Sequence, residues 1–133
     1  MYCFDTDVLS ATMRREPSLS LLRRLAQVPP AEQFTTTITL GELLYGASRR
    51  DSDRLRGKVG EMVRGALTIL PFDEPAASVY GPLRARLEAA GRRLDEPDMR
   101  IASIALSRDL TLVTGDVRHF ARVPDLNVEN WIA

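Results

Sequence analysis

The sequence predicts an α/β fold in a single domain, with a central, mainly parallel sheet of about five strands flanked by helices. Three observations predict it. Short β-branched or apolar runs repeatedly precede segments with helical apolar spacing, the order that yields a parallel sheet with helical crossovers. The 133 residues suffice for one hydrophobic core and are too few for two. No repeat, low-complexity tract or Gly/Ser-rich linker divides the chain, so residues 1–133 are read as one unit.

Taken in order, Tyr2-Cys3-Phe4 is a β-prone run that stops at Asp5-Thr6-Asp7, where cap-forming residues precede the helical Val8-Leu9. After Glu16-Pro17-Ser18, Leu19, Leu22, Leu25, Ala26 and Val28 keep helical spacing until Pro29-Pro30 ends it. Phe34 to Ile38 is rich in β-branched residues and is expected as the second strand, with Thr39 capping the helix that carries Leu40, Leu43, Leu44 and Ala47. Residues 51–65 are charged, with apolar positions at Leu55, Val59, Met62 and Val63, which predicts a polar-faced helix despite three glycines. Thr68-Ile69-Leu70 is a short apolar run before Pro71. Ala76, Ala77, Val79, Tyr80, Leu83 and Leu87 then predict a helix ending near Gly91, with Pro82 as a candidate kink. Pro97 suits the first turn of a nearly all-apolar helix through Leu106, expected in the core. Leu110 to Thr114 reads as a buried strand ending at Gly115-Asp116, followed by a short helix near His119 and an extended piece at residues 127–129.

Composition narrows the function classes. Apolar residues at 44% and charged residues at 27% are globular values and argue against disorder or a coiled coil. Eighteen basic and eighteen acidic residues sum to zero, so no global field draws the molecule to nucleic acid or to an anionic membrane. The lone Cys3 makes no internal disulfide, and with His119 as the one imidazole it is a poor start for a zinc site; a reducing cytoplasm is expected. No apolar run reaches the roughly 18 residues of a membrane span, and no leader pattern opens the chain, so no membrane association is expected. Every basic residue but Lys58 is an arginine, a side chain suited to bidentate phosphate contact, although coding bias gives the same preference.

In a parallel sheet, ligands bind beyond the carboxyl ends of the strands, which singles out the residues that follow them. Asp5 follows the first strand and Asp116 the strand 110–114, so the two share one edge. Glu42 lies one turn into the helix after the second strand, and Asp98 in the first turn of the apolar helix. Each has an ordinary explanation: Asp5 and Asp116 as caps, Asp98 as a helix-dipole partner, Glu42 as a surface charge. Their combination is what points to chemistry. Carboxylates brought together raise one another's pKa unless a hard cation such as Mg²⁺ or Mn²⁺ compensates them. Two such ions about 3.5–4 Å apart support phosphodiester hydrolysis with no need of histidine or cysteine.

The chain resembles the PIN domain and, within it, the VapC-type ribonuclease toxins of bacterial toxin–antitoxin pairs. The resemblance covers nearly the whole chain. It rests on Phe4-Asp5-Thr6-Asp7-Val8-Leu9, then Thr39-Leu40-Gly41-Glu42-Leu43-Leu44-Tyr45-Gly46, then Asp98-Met99-Arg100-Ile101-Ala102, and finally Leu112-Val113-Thr114-Gly115-Asp116 with His119-Phe120. It implies a metal-dependent endoribonuclease whose acidic residues match Asp5, Glu42, Asp98 and Asp116, with Thr114 orienting a ligand or a metal-held water. It also implies Mg²⁺ or Mn²⁺ as cofactor, an RNA substrate, a cognate antitoxin that covers the groove, and homodimerisation.

Three positions depart from the family pattern. Asp7 stands where many relatives have Asn and is read as a cap in preference to a ligand. Asp95 and Glu96 crowd Asp98, which is preferred because Ile101-Ala102 follow it at the family's spacing. Arg100 occupies a commonly apolar slot, with no account from sequence. His119 is read as a packing or hydrogen-bonding residue, Cys3 as core, and Trp131 as closing an apolar edge. Arg49, Arg50, Arg54, Arg56 and Lys58, with Arg84, Arg86, Arg92 and Arg93, form basic stretches that suit RNA phosphates or solvated helix faces equally. Two other functions compete. One is a catalytically inert RNA- or protein-binding module. The other is an aspartate-nucleophile phosphatase built on Asp5, weakened by Leu9 where a hydroxyl is needed and by Lys58 as the one lysine.

Overall fold

The computed structural model describes residues 1–132. Five strands, β1 (Tyr2–Phe4), β2 (Gln33–Thr36), β3 (Thr68–Leu70), β4 (Thr111–Val113) and β5 (Val128–Glu129), form one sheet in the order β3-β2-β1-β4-β5. Every pairing is parallel, with Phe4 opposite Val113 and Cys3 opposite both Phe34 and Leu112. Among the described residues seven α-helices complete the fold: α1 (Thr6–Thr12), α2 (Leu19–Ala26), α3 (Thr37–Arg49), α4 (Asp53–Arg64), α5 (Glu74–Ala89), α6 (Glu96–Ser107) and α7 (Val117–Phe120).

The alternation of side chains along each strand explains the two-sided core. Cys3 and Leu112 enter one cluster with Leu83, Leu87, Ile101 and Ile104 of α5 and α6. Phe4 and Val113, one residue further along each strand, enter the opposite cluster with Val8, Leu21, Leu43 and Val59 of α1 to α4. The strands at the switch point, β1 and β4, are short and mainly apolar, as burial on both faces of a parallel sheet requires. Helix α6 buries Met99 and the whole run Ile101 to Ala105, which accounts for its nearly continuous apolar sequence. Trp131 closes the edge as expected, packing edge-on against Tyr2 and Phe4 with the Arg24 guanidinium 4.5 Å over its ring. Gly91, at φ +67°, lies just past the end of α5, where the left-handed conformation favours glycine.

One boundary differs from the sequence expectation. The second strand stops at Thr36, not Ile38, and Thr36 rather than Thr39 caps α3: its hydroxyl accepts from the Thr39 N–H at 3.0 Å. The β-branched run 34–38 hides this boundary, because Thr36 is at once the last residue of β2 and the cap of α3, and Thr37 and Ile38 are already helical. Pro82 lies within a helix that runs unbroken from Glu74 to Ala89. A single 3₁₀ turn at Pro30–Glu32 follows the proline stop and leads into β2. Among the described residues no helix is long and apolar enough to cross a membrane.

Candidate functional site

The strand order reverses direction between β1 and β4: the chain steps outward from β1 to β2 and β3, then returns to place β4 on the other side of β1. Such a switch point opens a crevice at the carboxyl ends of the two strands. Asp5 and Thr114, the residues directly after Phe4 and Val113, stand at this crevice. The Asp5 N–H donates to the Val113 carbonyl at 2.9 Å, which ties the two strand ends together.

Asp5 is nearly fully buried, and both of its oxygens are engaged. Oδ1 accepts from the Thr6 N–H at 2.8 Å and Oδ2 from the Thr114 hydroxyl at 2.7 Å. The cap reading of Asp5 is thus correct in part, since it does begin α1, while its second oxygen points across the switch point. Thr114 is completely buried and also accepts from the Asp116 N–H at 3.0 Å, so one hydroxyl links the first carboxylate to the backbone of the last. Glu42 is not a free surface charge: it is half-buried, and the Thr6 hydroxyl donates to its Oε1 at 2.6 Å, with the Thr39 hydroxyl 3.2 Å from Thr6. Asp116 begins α7 without making a side-chain cap; its Oδ2 lies 2.6 Å from His119 Nδ1. His119 is half-exposed, so the hydrogen-bonding part of its expected role holds, with a carboxylate of the crevice as partner.

Asp98 lies in the first turn of α6, whose N-cap residue is Asp95. Its carboxyl is pushed up to about 7, first by burial and then by the negative charges of Asp5, Glu42, Asp95 and Asp116. Asp5 is likewise pushed up to about 6 by burial, with Asp7 and Glu42 adding to it, against the lowering effect of the Thr114 and Thr6 hydrogen bonds. The four carboxylates singled out from sequence therefore feel one another at one sheet edge. Among the described residues no three Asp, Glu, His or Cys side chains already form a ready-made metal cage. Threonine bridges link Asp5, Glu42 and Asp116, and Asp98 shares their electrostatic environment. Of the neighbouring acids, Asp95 adds its charge to Asp98 and Glu96 is drawn away. Glu96 is engaged by Tyr80, Arg84 and Arg100, which holds its carboxyl below the usual range and gives Arg100 a structural partner.

Asp7 is a correction. It does not cap α1; its Oδ2 reaches across to accept from the Gly115 N–H at 2.8 Å, while Oδ1 is buried without a partner among the described residues. A Cβ on residue 115 would lie 2.7 Å from Asp7 Oδ2 and 2.7 Å from Ile132 Cδ1, so glycine is the residue that lets the β4–α7 turn approach α1. Sequence reasoning missed this clamp and also Thr6, the bridge between Asp5 and Glu42. The signal was available in the Asp-Thr-Asp triplet: in a helix's first turn, adjacent polar residues point in different directions and reach different partners. Cys3 is fully buried and its thiol is pushed up to about 12 by burial, which makes it inert core.

Comparison with known proteins agrees with this geometry. A family model for the PIN domain matches residues 2–126. The chain is similar to Ribonuclease VapC2 of Haemophilus influenzae, 34% identical over 131 residues with 98% of each chain covered. It is also similar to the tRNA(fMet)-specific endonuclease VapC of Shigella flexneri, 31% identical over 98% of this chain and 97% of that one. Among solved structures, VapBC2 from Rickettsia felis bound to a DNA fragment of its promoter superposes with a TM-score of 0.87 at 29% identity, covering 98% of both chains.

Proposed function

The chain belongs to the PIN domain family, and from that premise we propose that it is a divalent-metal-dependent endoribonuclease, the toxin of a toxin–antitoxin pair. The observation that carries the proposal is the gathering of Asp5, Glu42, Asp98 and Asp116 at the switch point, with the Asp98 carboxyl pushed up to about 7 by burial and by its acidic neighbours. Structural ion pairs would lower these pKa values; uncompensated acids that raise one another are the mark of a site prepared for a cation. The relatives named as ribonucleases over the full chain length support the same reading.

The donor set fits a hard ion. It is all oxygen, with one imidazole at the rim and no accessible thiol, which selects Mg²⁺ or Mn²⁺ over zinc or copper. Asp5, Asp98 and Asp116, with Glu42, would hold it. When bound, such an ion activates water and offsets charge on the phosphoryl oxygens. The protein's own part is orientation. The Thr114 hydroxyl and the Thr6 N–H fix the rotamer of Asp5 and favour its ionised form against burial. Thr6 holds Glu42 toward the same crevice, and Thr114 sets the turn that carries Asp116. With carboxylates fixed before the substrate arrives, less reorganisation is left for the reaction itself.

The aspartyl-phosphatase alternative finds no support in this arrangement. Both Asp5 oxygens already accept strong hydrogen bonds, and the position that would need a hydroxyl is the buried Leu9. The antitoxin, the homodimer and a cytoplasmic setting follow from the same family reading. The test is to incubate purified, antitoxin-free protein with structured RNA and Mg²⁺ or Mn²⁺, beside EDTA and a folded Asp5→Asn variant. Cleavage that requires both metal and Asp5 is expected. A folded, metal-supplied protein that leaves a broad set of RNAs intact would favour the inert binding module.

A further inference from the structure

A cleft of about 270 Å³ begins where the carboxylate site ends, sharing Thr6 and Glu42 with it, and runs between α1, α3 and α4. Its walls carry Arg14, Arg50 and Arg54, and apolar residues including Leu43 and Val59 line it too. The basic stretches of the sequence are sorted by their partners. Arg56 is held by Asp51 and Asp53, Lys58 by Glu61, and Arg84 by Glu88 and Glu96. Arg54 is fixed in place by donating to the Met13 carbonyl at 2.7 Å, which engages no counter-charge. Arg14 and Arg50 are exposed and have no side-chain hydrogen bond or ion pair among the described residues. Three guanidinium groups without a carboxylate partner thus converge beside an acidic site that itself calls for cations.

We infer that this cleft is a subsite for the RNA backbone: Arg14, Arg50 and Arg54 bind the phosphate next to the scissile one, and the apolar wall receives the face of the adjoining nucleotide. The inference rests on the nuclease reading for its register along the strand. The chemistry of the walls supports it directly. A guanidinium fork matches a phosphate's paired oxygens, and Arg54, already immobilised, loses little freedom on binding. The volume is at the small end for a ligand site, which suits one unit of a passing strand better than a whole free ligand. The continuity with Thr6 and Glu42 favours a polyanion that brings its own cations over an acidic peptide. A peptide carboxylate at the Glu42 end would meet a like charge and bring no counter-ions of its own.

The experiment measures binding of a fluorescently labelled, mixed-sequence single-stranded RNA to the Asp5→Asn protein in EDTA, across a salt series. On that background, Arg14→Ala with Arg50→Ala is expected to weaken binding about tenfold or more, and to flatten the slope of log affinity against log salt by about 0.7 for each phosphate left without its arginine. Arg92→Ala with Arg93→Ala, which removes the same charge from outside the cleft, is expected to stay within about twofold of the parent. Thermal melting establishes that both double variants are folded. Unchanged RNA affinity in the Arg14/Arg50 variant overturns the inference, as does a variant that loses affinity for an acidic peptide while keeping it for RNA. The two readings also fail separately. If the Asp5-intact Arg14/Arg50 variant cleaves RNA with unchanged kcat/KM, the subsite is wrong and the nuclease stands. If the unsubstituted protein cleaves nothing while binding still depends on Arg14 and Arg50, the subsite stands and the nuclease falls.

Discussion

Replacing Asp98 with Asn is expected to stabilise the metal-free protein at pH 8 while removing its response to divalent ions. In the folded chain the Asp98 carboxyl is pushed from 3.8 to about 7 by burial and by four neighbouring acids. A raised acid holds its proton more tightly when folded, so between those two values the folded state carries more protons than the unfolded one. Stability therefore falls as pH rises through this window, and the full penalty is present above about pH 7. At 1.36 kcal/mol per tenfold in the proton equilibrium, the shift sets an upper bound of about 4 kcal/mol. Partial exposure and coupling to Asp5 reduce this to about 1–3 kcal/mol. Asn keeps the shape and removes the charge, so the metal-free variant should melt several degrees higher at pH 8, at about 3–5 °C per kcal/mol for a chain of this size. The gain should vanish near pH 4.

The bland explanation predicts the opposite sign. If Asp98 served only as a helix-dipole partner, removing its charge would cost about 0.3–1 kcal/mol. Thermal melts from pH 4 to pH 8, with EDTA and with Mn²⁺, separate the two. A variant that is less stable than its parent at pH 8, or whose gain does not shrink toward pH 4, refutes the reasoning. So does a variant that the ion stabilises as fully as it does the parent.

Other outcomes follow from single contacts. Thr114→Val removes the donor to Asp5 and the acceptor for the Asp116 N–H, so it should cost about 1–3 kcal/mol in a denaturant titration. Losing that donor raises Asp5 further, so the acid limb of the pH profile of kcat/KM for RNA cleavage should move to higher pH. Gly115→Ala places a Cβ 2.7 Å from both Asp7 Oδ2 and Ile132 Cδ1 and should destabilise by about 1–3 kcal/mol, read from the same titration, with cleavage lowered through a displaced Asp116. Asp7→Asn keeps an oxygen for the Gly115 N–H and should leave the melting temperature within a few degrees, whereas Asp7→Ala should lower it. Adding Mn²⁺ at 100 times its Kd should stabilise the unsubstituted protein by about 2.7 kcal/mol, measured by thermal shift, and Asp5→Asn should lose most of that response.

Much of this architecture could be read from the residues because two periodicities changed at the right places. Tyr2-Cys3-Phe4 and Leu110 to Thr114 announce buried strands, and the apolar run from Met99 to Leu106 announces a helix buried on most sides. What remained hidden depended on contacts distant in sequence. Thr36 and Thr39 have the same chemistry, and only the position of α3 against the sheet decides which one caps it. Asp7 reads locally as a cap and is drawn away by a backbone N–H at residue 115, a separation no local pattern records. The arginines illustrate the same limit. From the sequence, residues 49–58 are one basic stretch; in the fold, Arg56 and Lys58 are taken up by neighbouring acids and Arg50 and Arg54 face the cleft.

The carboxylate site is costly to the fold that carries it. Asp5 sits nearly dry at the end of a core strand, and Asp98 faces the charges of Asp5, Glu42 and Asp116 from the first turn of the most buried helix. The hydrogen bonds from Thr6 and Thr114 offset part of the burial at Asp5, but no cation among the described residues pairs with it or with Asp98. The unpaired negative charge is thus a reserve of free energy that any well-placed cation can release. A divalent ion and a guanidinium offered by a protein partner would draw on the same reserve at the same place. By linkage, each would stabilise the fold, and each would weaken the binding of the other. On the proposed reading, an antitoxin would not need to distort the domain to silence it: one positive charge supplied at the switch point would shield the carboxylates and compete with any ion they bind.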